Sequence, residues 1–492
     1  MIHSKYISQN LSDLEKLAKE LAPLLNEGGV MALNGQIGAG KTTLAKLIIQ
    51  ELTQTPLEDI VSPTFNLYHT YNNKDTLEIA HYDFYRIESE MELLEIDLNE
   101  SFTDKICIIE WADKFRDLLP RDRIEIFIKC TKNERVYRID PLGKFKEVVS
   151  NRAKIENFLE GLDMNLTGLQ RLPGDASKRN YYRVMSSDNT MILMDATQEI
   201  DIKSKAGLTN GINDFIKIQE YLDSIDVRVP KLIVRNMIDN IILEEDLGEY
   251  SYTDMLTKEN YQKLYNPAIK TLIHISNINH PKNISTNSNP HYLKEFDLDI
   301  YLNEAEIFID YYWPFIHGKQ CNADKKQEFT HIMEELYSNL TKDKTLMLRD
   351  FHSPNLLFLE NENGFRKCAV IDFQDALFGH PLYDLVSLTN DARITIDEYQ
   401  EKYLIGLYKK DFPFNNFQFD SLSFMQQYHI LGVQRSIKIL GIFARLAILE
   451  TNQNYLVHMP RVICYIKRIM QSGRIQALAC WLNLNFKETF NV

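Results

Sequence analysis

The chain has 492 residues, of which 44% are apolar and 25% are charged, and its formal net charge is −14 at pH 7. This length exceeds what one hydrophobic core of ordinary size accommodates, so we expect at least two globular domains. The acidic balance argues against tight direct binding of tRNA or DNA, and the lack of a signal peptide, a membrane-length apolar run or a C-x-x-C pair predicts a cytoplasmic protein without a membrane anchor.

The first third of the chain alternates between helix and strand patterns. Residues 12–25 have helical apolar periodicity, and Ser12 with Glu15 predicts a capping box at the start of this helix. A strand at 30–33, a glycine-rich turn and a helix at 41–53 follow. Strands are predicted at 64–71 and 77–82, a helix at 88–96, and three more strands in the segments KICIIEW, RIEIFIKC and RVYRID. This alternation predicts an α/β domain over residues 1–148.

The rest of the chain predicts a second domain over residues 149–492. The segment PLGKFKEVVSNRAKIENFLEG has little strand signal and is predicted to bridge the two domains. A strand pair, NYYRV and MILMDA, then opens a region that becomes strongly helical after residue 250. A small β-rich lobe followed by a large helical lobe is the expected architecture, an α+β fold.

The glycine-rich turn predicts a nucleotide site. It fits the pattern G-x-x-x-x-G-K-[ST] through Gly35, Gly40, Lys41 and Thr42, between a strand and a helix. Glycines allow backbone N–H groups to close around phosphate oxygens, and the helix directs its positive N-terminus at them. The lysine would reach the β- and γ-phosphates and the threonine hydroxyl would hold Mg²⁺. The predicted nucleotide-binding residues are Gly35, Gly38, Ala39, Gly40, Lys41, Thr42 and Thr43.

Two carboxylates at strand ends would complete an ATPase site. Asp83 ends the strand in HYDFYR, and Glu110 ends the strand in CIIEW. Carboxylates in this position hold Mg²⁺ and the attacking water in related folds. Either residue could be the metal ligand, with the other positioning water for attack on the γ-phosphate.

Four ordered motifs, LNGQIGAGKTTL, SPTFNLYHTY, HYDFYRIES and IIEWADKF, resemble the TsaE family of small bacterial ATPases, over roughly residues 1–145. The resemblance implies a P-loop NTPase-like fold and an ATPase that works with the TsaD and TsaB proteins in making threonylcarbamoyladenosine at position 37 of tRNA. It also implies that Lys41, Thr42, Asp83 and Glu110 are the functional residues, and that Thr64 is a switch-like threonine near the nucleotide.

A second set of motifs lies in LRDFHSPNLLFLE and CAVIDFQDALFGHPLYDLVSL. Asp350 and Asn355 have the spacing D-x-x-x-x-N of a kinase catalytic loop, in which the aspartate takes the substrate hydroxyl proton and the asparagine holds a metal ion. Asp372, in I-D-F, occupies the place of the metal-binding aspartate of D-F-G. Asp384 is interpreted as a structural carboxylate that caps a helix. The paired motifs predict phosphotransferase chemistry.

These motifs, with LPGDASKRNYYRV and ILEEDLG, resemble the aminoglycoside phosphotransferase superfamily, which has a bilobal protein-kinase-like fold, and within it the kinases of N-acetylmuramate and N-acetylglucosamine. The resemblance implies ATP- and Mg²⁺-dependent phosphorylation of a small amino sugar. Asp350 would be the base, Asn355 and Asp372 would bind the metal, GDASKRN would cover the phosphates, and Glu245 and Asp246 would lie near the adenine.

Two departures from that family pattern leave a second hypothesis open. Leu348 replaces the usual histidine, and Met194 stands where a phosphate-pairing lysine is expected, with Arg183 or Lys178 as candidate replacements. The second domain is therefore either an active sugar kinase or a non-catalytic module that regulates the ATPase. A third hypothesis, that the first domain phosphorylates small molecules, is disfavoured by the IIEW and SPTF segments.

Overall fold

The computed structural model describes residues 5–26, 28–63, 67–72, 77–94, 98–131, 134–162, 164, 166–172, 179–187, 189–197, 211–257, 259–285, 290–449 and 453–490. The chain forms two compact units, residues 1–164 and 165–492. Both contain helices and sheets, as the predicted mixed α/β class requires. No helix in the described part of the chain is both long enough and apolar enough to cross a membrane.

The first unit is built on a seven-stranded sheet with the order β1-β7-β6-β2-β5-β4-β3. Strands β6, β2, β5 and β4 are parallel, and the outer strands pair antiparallel. The strands are β1 Lys5–Ser8, β2 Gly29–Gly35, β3 Tyr68–Asn72, β4 Glu78–Asp83, β5 Ile106–Glu110, β6 Arg123–Cys130 and β7 Arg135–Pro141. The helices are α1 Leu11–Leu21, α2 Lys41–Thr53, α3 Glu90–Leu94, α4 Leu98–Asp104 and α5 Phe145–Glu160.

Both faces of this sheet are buried, which explains why the central strands are almost wholly apolar. Alternate residues of β4 and β5 enter different cores: Ile79 and Ile108 pack with α1 and α2, whereas Ala80 and Ile109 pack in the core on the other face. This alternation decides which side chains the strand ends direct towards α2.

The segment predicted to bridge the domains contains helix α5. Phe145 is buried in the core of the first unit, with Val148 and Val149 packed against that core. The boundary predicted between residues 148 and 149 falls inside this helix, whereas the structure divides after Met164. The segment has little strand pattern because it forms a helix, and the apolar side chains of this helix pack against the first unit.

The second unit begins with a five-stranded antiparallel sheet of order β11-β12-β10-β9-β8, followed by a largely helical region. The sheet strands are β8 Leu166–Arg171, β9 Asn180–Ser186, β10 Thr190–Asp195, β11 Leu232–Asn236 and β12 Ile241–Glu245. Four short strands form two hairpin-like pairs, β13 Thr345–Met347 with β16 Leu377–Gly379, and β14 Leu356–Phe358 with β15 Cys368–Val370.

The helices of the second unit surround one continuous hydrophobic core. They are α6 Ile212–Ser224, α7 Tyr252–Met255, α8 Tyr261–Asn277, α9 Leu298–Ile307, α10 Trp313–His317, α11 Ala323–Ser338, α12 Tyr383–Thr389, α13 Glu398–Asp411, α14 Phe424–Leu449, α15 Met459–Gln471, α16 Gln476–Asn485 and α17 Lys487–Phe490. The predicted order, a small β-rich part followed by a large helical part, is observed.

Candidate functional sites

The phosphate loop joins the end of β2 to the start of α2. Gly35, Gly38 and Gly40 have φ angles of 152°, 77° and 100°, a range that favours glycine. A Cβ atom on Gly35 would lie 2.7 Å from the carbonyl oxygen of Ile128, so the loop cannot take a larger residue there without shifting. The glycines therefore set the path by which the backbone reaches the N-terminus of α2.

Lys41 folds back over this loop. Its ammonium group donates to the carbonyl oxygens of Gly35 and Gln36, at 2.7 and 3.0 Å, and lies 3.5 Å from the centre of the Trp111 ring. Burial lowers the pKa of Lys41, while the nearby charges of Glu110 and Asp83 oppose that shift. The lysine is thus held at the mouth of the loop by interactions that a phosphate could replace.

Glu110 is the centre of a buried hydrogen-bonded group beside the loop. The Thr42 hydroxyl donates to Glu110 Oε2 at 2.7 Å, and His81 Nε2 lies 3.0 Å from Glu110 Oε1. His81 and Glu110 are both buried, at 0% and 1% exposure. His81 lies two residues before Asp83 on β4 and faces α2, as Ile79 does. No sequence motif singles out this histidine, although its alternation with Ile79 along the strand indicates that face.

Asp83 stands directly opposite Glu110 in the parallel pairing of β4 and β5. One carboxylate oxygen accepts a hydrogen bond from the Tyr85 N–H at 2.9 Å. Burial raises the pKa of Asp83, the Tyr85 hydrogen bond opposes this, and the charge of Glu110 raises it further. The structure therefore brings Lys41, Thr42, Asp83 and Glu110 together. Thr43 is exposed, and Thr64 lies outside the described residues.

In the second unit, the predicted catalytic loop runs between β13 and β14. The Asn355 amide nitrogen donates to the backbone oxygen of Asp350 at 3.1 Å and to Asp372 Oδ2 at 3.3 Å. Arg349 and Asp372 have positive φ angles of 67° and 58°, which is uncommon for residues other than glycine. Backbone strain of this kind is frequent at functional sites. The two separated motifs thus meet at one site.

Two buried carboxylates hold this loop in place. Asp384 accepts hydrogen bonds from the backbone N–H groups of Leu348 and Arg349, at 2.7 and 2.8 Å, and Asp391 accepts one from Ser353 N–H at 2.8 Å. Burial raises the pKa of Asp384 to about 7, against the effect of its two backbone donors. Asp384 is a structural carboxylate, as predicted. It is not a helix cap, because it lies in the first turn of α12 and supports the catalytic loop instead.

The surroundings of Asp350 favour its ionised form. Burial alone would raise its pKa, but the electrostatic effects of His352, Lys438, Arg349 and Arg435 together outweigh burial, so that the pKa lies below its ordinary value. Leu348, in the place of the usual histidine, is buried in the core, and His352 Nε2 lies 3.9 Å from Asp350 Oδ1. The ionised carboxylate can therefore accept a proton from a substrate hydroxyl that lies within hydrogen-bonding distance of it.

A cavity of about 660 Å³ adjoins Asn355 and Asp372 and extends to the segment Glu244–Gly248. Met194, in the position expected for a lysine, is fully buried in the core and accepts a hydrogen bond from the Tyr181 hydroxyl at 3.5 Å. Arg183 is held by Asp246, with 2.7 Å between Arg183 Nε and Asp246 Oδ2, and by Glu249. Lys178 lies outside the described residues. Arg179 is buried and lines the cavity, which Arg183 and Arg393 also border.

The oxygen atoms at both sites suit Mg²⁺, which prefers carboxylate, hydroxyl and amide oxygens and retains water and phosphate ligands. Thr42 with Glu110 and Asp83, and Asn355 with Asp372, are the candidate ligands. Among the described residues, no group of three His, Cys, Asp or Glu side chains could hold a metal ion by itself.

Comparison with known proteins places each unit in a family. The model of the "Threonylcarbamoyl adenosine biosynthesis protein TsaE" family matches residues 8–138, and that of the "Phosphotransferase enzyme family" matches residues 168–414. The tRNA threonylcarbamoyladenosine biosynthesis protein TsaE of Rickettsia felis is 36% identical over 134 residues, covering 27% of this chain and 77% of the relative. That of Bacillus subtilis is 36% identical over 147 residues, covering 30% of this chain and 90% of the relative.

The second unit has relatives of its own. The N-acetylmuramate/N-acetylglucosamine kinase of Caulobacter vibrioides is 27% identical over 335 residues, covering 64% of this chain and 91% of the relative. That of Pseudomonas aeruginosa is 26% identical over 296 residues, covering 60% of this chain and 81% of the relative. Both resemblances identified from the sequence motifs are thereby confirmed. The chain belongs to the TsaE family through its first unit and to the phosphotransferase enzyme family through its second.

Proposed function

We propose that the first unit hydrolyses ATP and thereby supports the formation of threonylcarbamoyladenosine at position 37 of tRNA, together with the TsaD and TsaB proteins. The observation that carries this proposal is the Thr42–Glu110 hydrogen bond of 2.7 Å beside the glycine loop. Thr42 and Glu110 would hold Mg²⁺, which supplies charge stabilisation for the phosphates. Asp83, whose raised pKa suits proton transfer, would position the attacking water.

The test of this proposal is ATP hydrolysis by the full chain, without sugar, with and without TsaD and TsaB. Lys41→Ala should lower the rate by about two orders of magnitude, because the lysine would stabilise charge on the transferred phosphoryl group. Lys46→Ala, on the same helix but outside the loop, is the matched control. Unchanged hydrolysis in Lys41→Ala refutes the site, and a rate that the partner proteins leave unchanged refutes the role in tRNA modification.

We further propose that the second unit transfers the γ-phosphoryl group of ATP to a hydroxyl of a small amino sugar, such as N-acetylmuramate or N-acetylglucosamine. Asn355, through its contacts with the Asp350 backbone and the Asp372 side chain, supports this proposal most directly. Asp350 would accept the hydroxyl proton, Asn355 and Asp372 would hold Mg²⁺, and Arg179 would replace the missing lysine in binding phosphates.

The buried Met194 favours a second candidate function, a non-catalytic module that regulates the first unit. Asp350→Asn separates the two. If the second unit is a kinase, Asp350→Asn should lower the rate of sugar-dependent ADP release by about two to four orders of magnitude. ATP hydrolysis by the first unit, measured without sugar, should persist in this variant. Lys41→Ala should show the converse pattern. If wild type and Asp350→Asn release ADP equally with every amino sugar, the regulatory function is favoured instead.

A further inference from the structure

A second cavity, of about 130 Å³, lies beside Asp350 in the second unit. Its walls come from the catalytic loop, from the segment Asp391–Arg393 and from one face of α14 that carries Arg435, Lys438 and Ile442. Asn355 and Asp372, which line the larger cavity, do not line this one. At about 30 Å³ per water molecule, the space suits a small polar substituent rather than a whole nucleotide.

Arg435 contributes a buried guanidinium group to this wall. It is only 5% exposed, yet its Nη1 atom has no hydrogen-bond partner among the residues that the structure describes. Two other cations nearby share one carboxylate: Lys438 Nζ donates to Glu304 Oε1 at 2.7 Å, and Arg349 pairs with the same group. A buried cation without a hydrogen-bonded anion is costly, so a site that keeps one usually binds an anion there.

The carboxylates near Arg435 already have other donors. Asp384 accepts from two backbone N–H groups, and Asp391 accepts from the N–H groups of Ser353 and Arg393, at 2.8 and 2.7 Å. Asp350 must remain available to a substrate hydroxyl if it acts as the base. The charge of Arg435 lowers the pKa of Asp350 and of Asp384, but its buried Nη1 atom donates a hydrogen bond to none of these carboxylates.

We propose that Arg435 binds a carboxylate on the acceptor sugar, so that the second unit selects an acidic amino sugar over a neutral one. The inference rests on the sugar kinase function proposed above. The guanidinium would form charge-assisted hydrogen bonds to the carboxylate. Ile439, Ile442 and Phe443, on the same side of α14, would pack against the apolar parts of the sugar. Arg435 is then a specificity residue that sits beside the catalytic aspartate.

N-acetylmuramate and N-acetylglucosamine provide the test, because the first carries a carboxylate that the second lacks. In the full chain, kcat/KM for each sugar and sugar binding with a non-hydrolysable ATP analogue would be measured for wild type, Arg435→Gln and Arg435→Lys. Arg435→Gln should lower the preference for the acid, as a ratio of kcat/KM values, by about ten- to hundredfold. The change should lie mainly in KM, since binding rather than chemistry is lost.

Arg445→Gln removes the same charge from α14 at a position outside the cavity, and should leave the preference unchanged. Arg435→Lys should restore part of the preference, which a purely structural role would not produce. An equal loss for both sugars, or no change in the ratio, overturns the inference while leaving the kinase proposal intact. Binding of the acid that depends on Arg435, without phosphoryl transfer, supports the inference and refutes the kinase. If wild type binds neither sugar, the inference is overturned.

Discussion

Glu244 and Glu245, adjacent on β12, have opposite electrostatic environments. Successive side chains of a strand point to opposite faces. Glu244 is buried, and burial raises its pKa to about 8 despite the opposing charge of Arg179. Glu245 pairs with Arg228, with 2.9 Å between Arg228 Nη1 and Glu245 Oε2. Burial raises the pKa of Glu245, but the Arg228 interactions outweigh it and the net shift is downward. The protonated Glu244 and the ionised Glu245 thus both border the larger cavity, which also adjoins Asn355 and Asp372.

The raised pKa of Glu244 predicts a pH dependence of stability. The folded state holds this proton up to about pH 8, whereas the unfolded chain loses it near the ordinary glutamate pKa of 4.5. Stability should therefore fall as the pH rises through this window, by up to about 1 kcal/mol per pH unit. Glu244→Gln cannot ionise, so its unfolding temperature should fall less than that of wild type between pH 5 and pH 8.

Calorimetry of the full chain checks this, with Glu245→Gln as the control. The pKa of Glu245 is lowered, so its stabilising contribution exists above pH 4.5 and is lost on acidification. Glu245→Gln should accordingly reduce the stability lost in acid and have little effect on the slope near pH 7. A Glu244→Gln variant that follows the wild-type pH profile would contradict the assignment of a buried, protonated carboxyl group.

At the scale of elements, the predicted helices and strands of the first unit occur in the predicted order, but several of their ends differ, and β1, α4 and α5 were not predicted. The predicted helix 12–25 ends at Leu21 and continues as a 3₁₀ turn, Ala22–Leu25. Pro23 has no N–H to donate and cannot extend an α-helix. The cap is Asn10, whose side chain accepts from Asp13 N–H at 3.0 Å, rather than Ser12. Two cap residues compete locally, and the sequence pattern favoured the wrong one.

Helix α14 packs unusually close to the end of α9. A Cβ atom on Gly441 would lie 2.6 Å from backbone atoms of Ile307 and Phe308, which cannot move as a side chain can. The same helix carries Arg435 and Lys438 into the cavity beside Asp350. The close approach at Gly441 therefore helps to set the position of the cavity beside Asp350.

Gly441→Ala should destabilise the second unit by about 1–3 kcal/mol, because the added methyl group overpacks a rigid contact. Gly406→Ala, within α13, is the matched control: no atom lies within 4 Å of its added Cβ. There the substitution should stabilise by roughly 0.5–1 kcal/mol, through the usual advantage of alanine over glycine in a helix. Urea unfolding of both variants measures these effects. Equal effects of the two substitutions would show that helix propensity, and not packing, dominates.

At the scale of the whole molecule, the chain is two units with separate hydrophobic cores and separate candidate sites. Helix α5 belongs to the first unit, where it packs against β7 and the turn Ala22–Leu25. Ile155 and Leu159 of this helix are buried. The end of the first unit is therefore set by packing rather than by the last strand.

A fragment of residues 1–148 should be less stable than one of residues 1–164, by about 3 kcal/mol or more, because it loses the burial of Ile155 and Leu159. Urea unfolding of the two fragments, followed by tryptophan fluorescence from Trp111, measures the difference. Equal unfolding midpoints would place the boundary at residue 148 after all.

The amino-acid sequence by itself determined what depends on local chemistry. The glycine spacing before Lys41 and the spacing of Asp350 and Asn355 can be identified from the sequence alone, because such loops need fixed residue types at fixed intervals. The two families, the number of units and most of the central strands and helices of the first unit followed from the same local patterns.

Only the tertiary structure decided which distant side chains meet. His81 became a partner of Glu110 because parallel strands 29 residues apart in sequence align their ends. Arg435 of α14 lines the same cavity as Asp350, although the two are far apart in the sequence. Arg183 pairs with Asp246. Burial and pairing depend on what the rest of the chain brings near, so no local pattern encodes them.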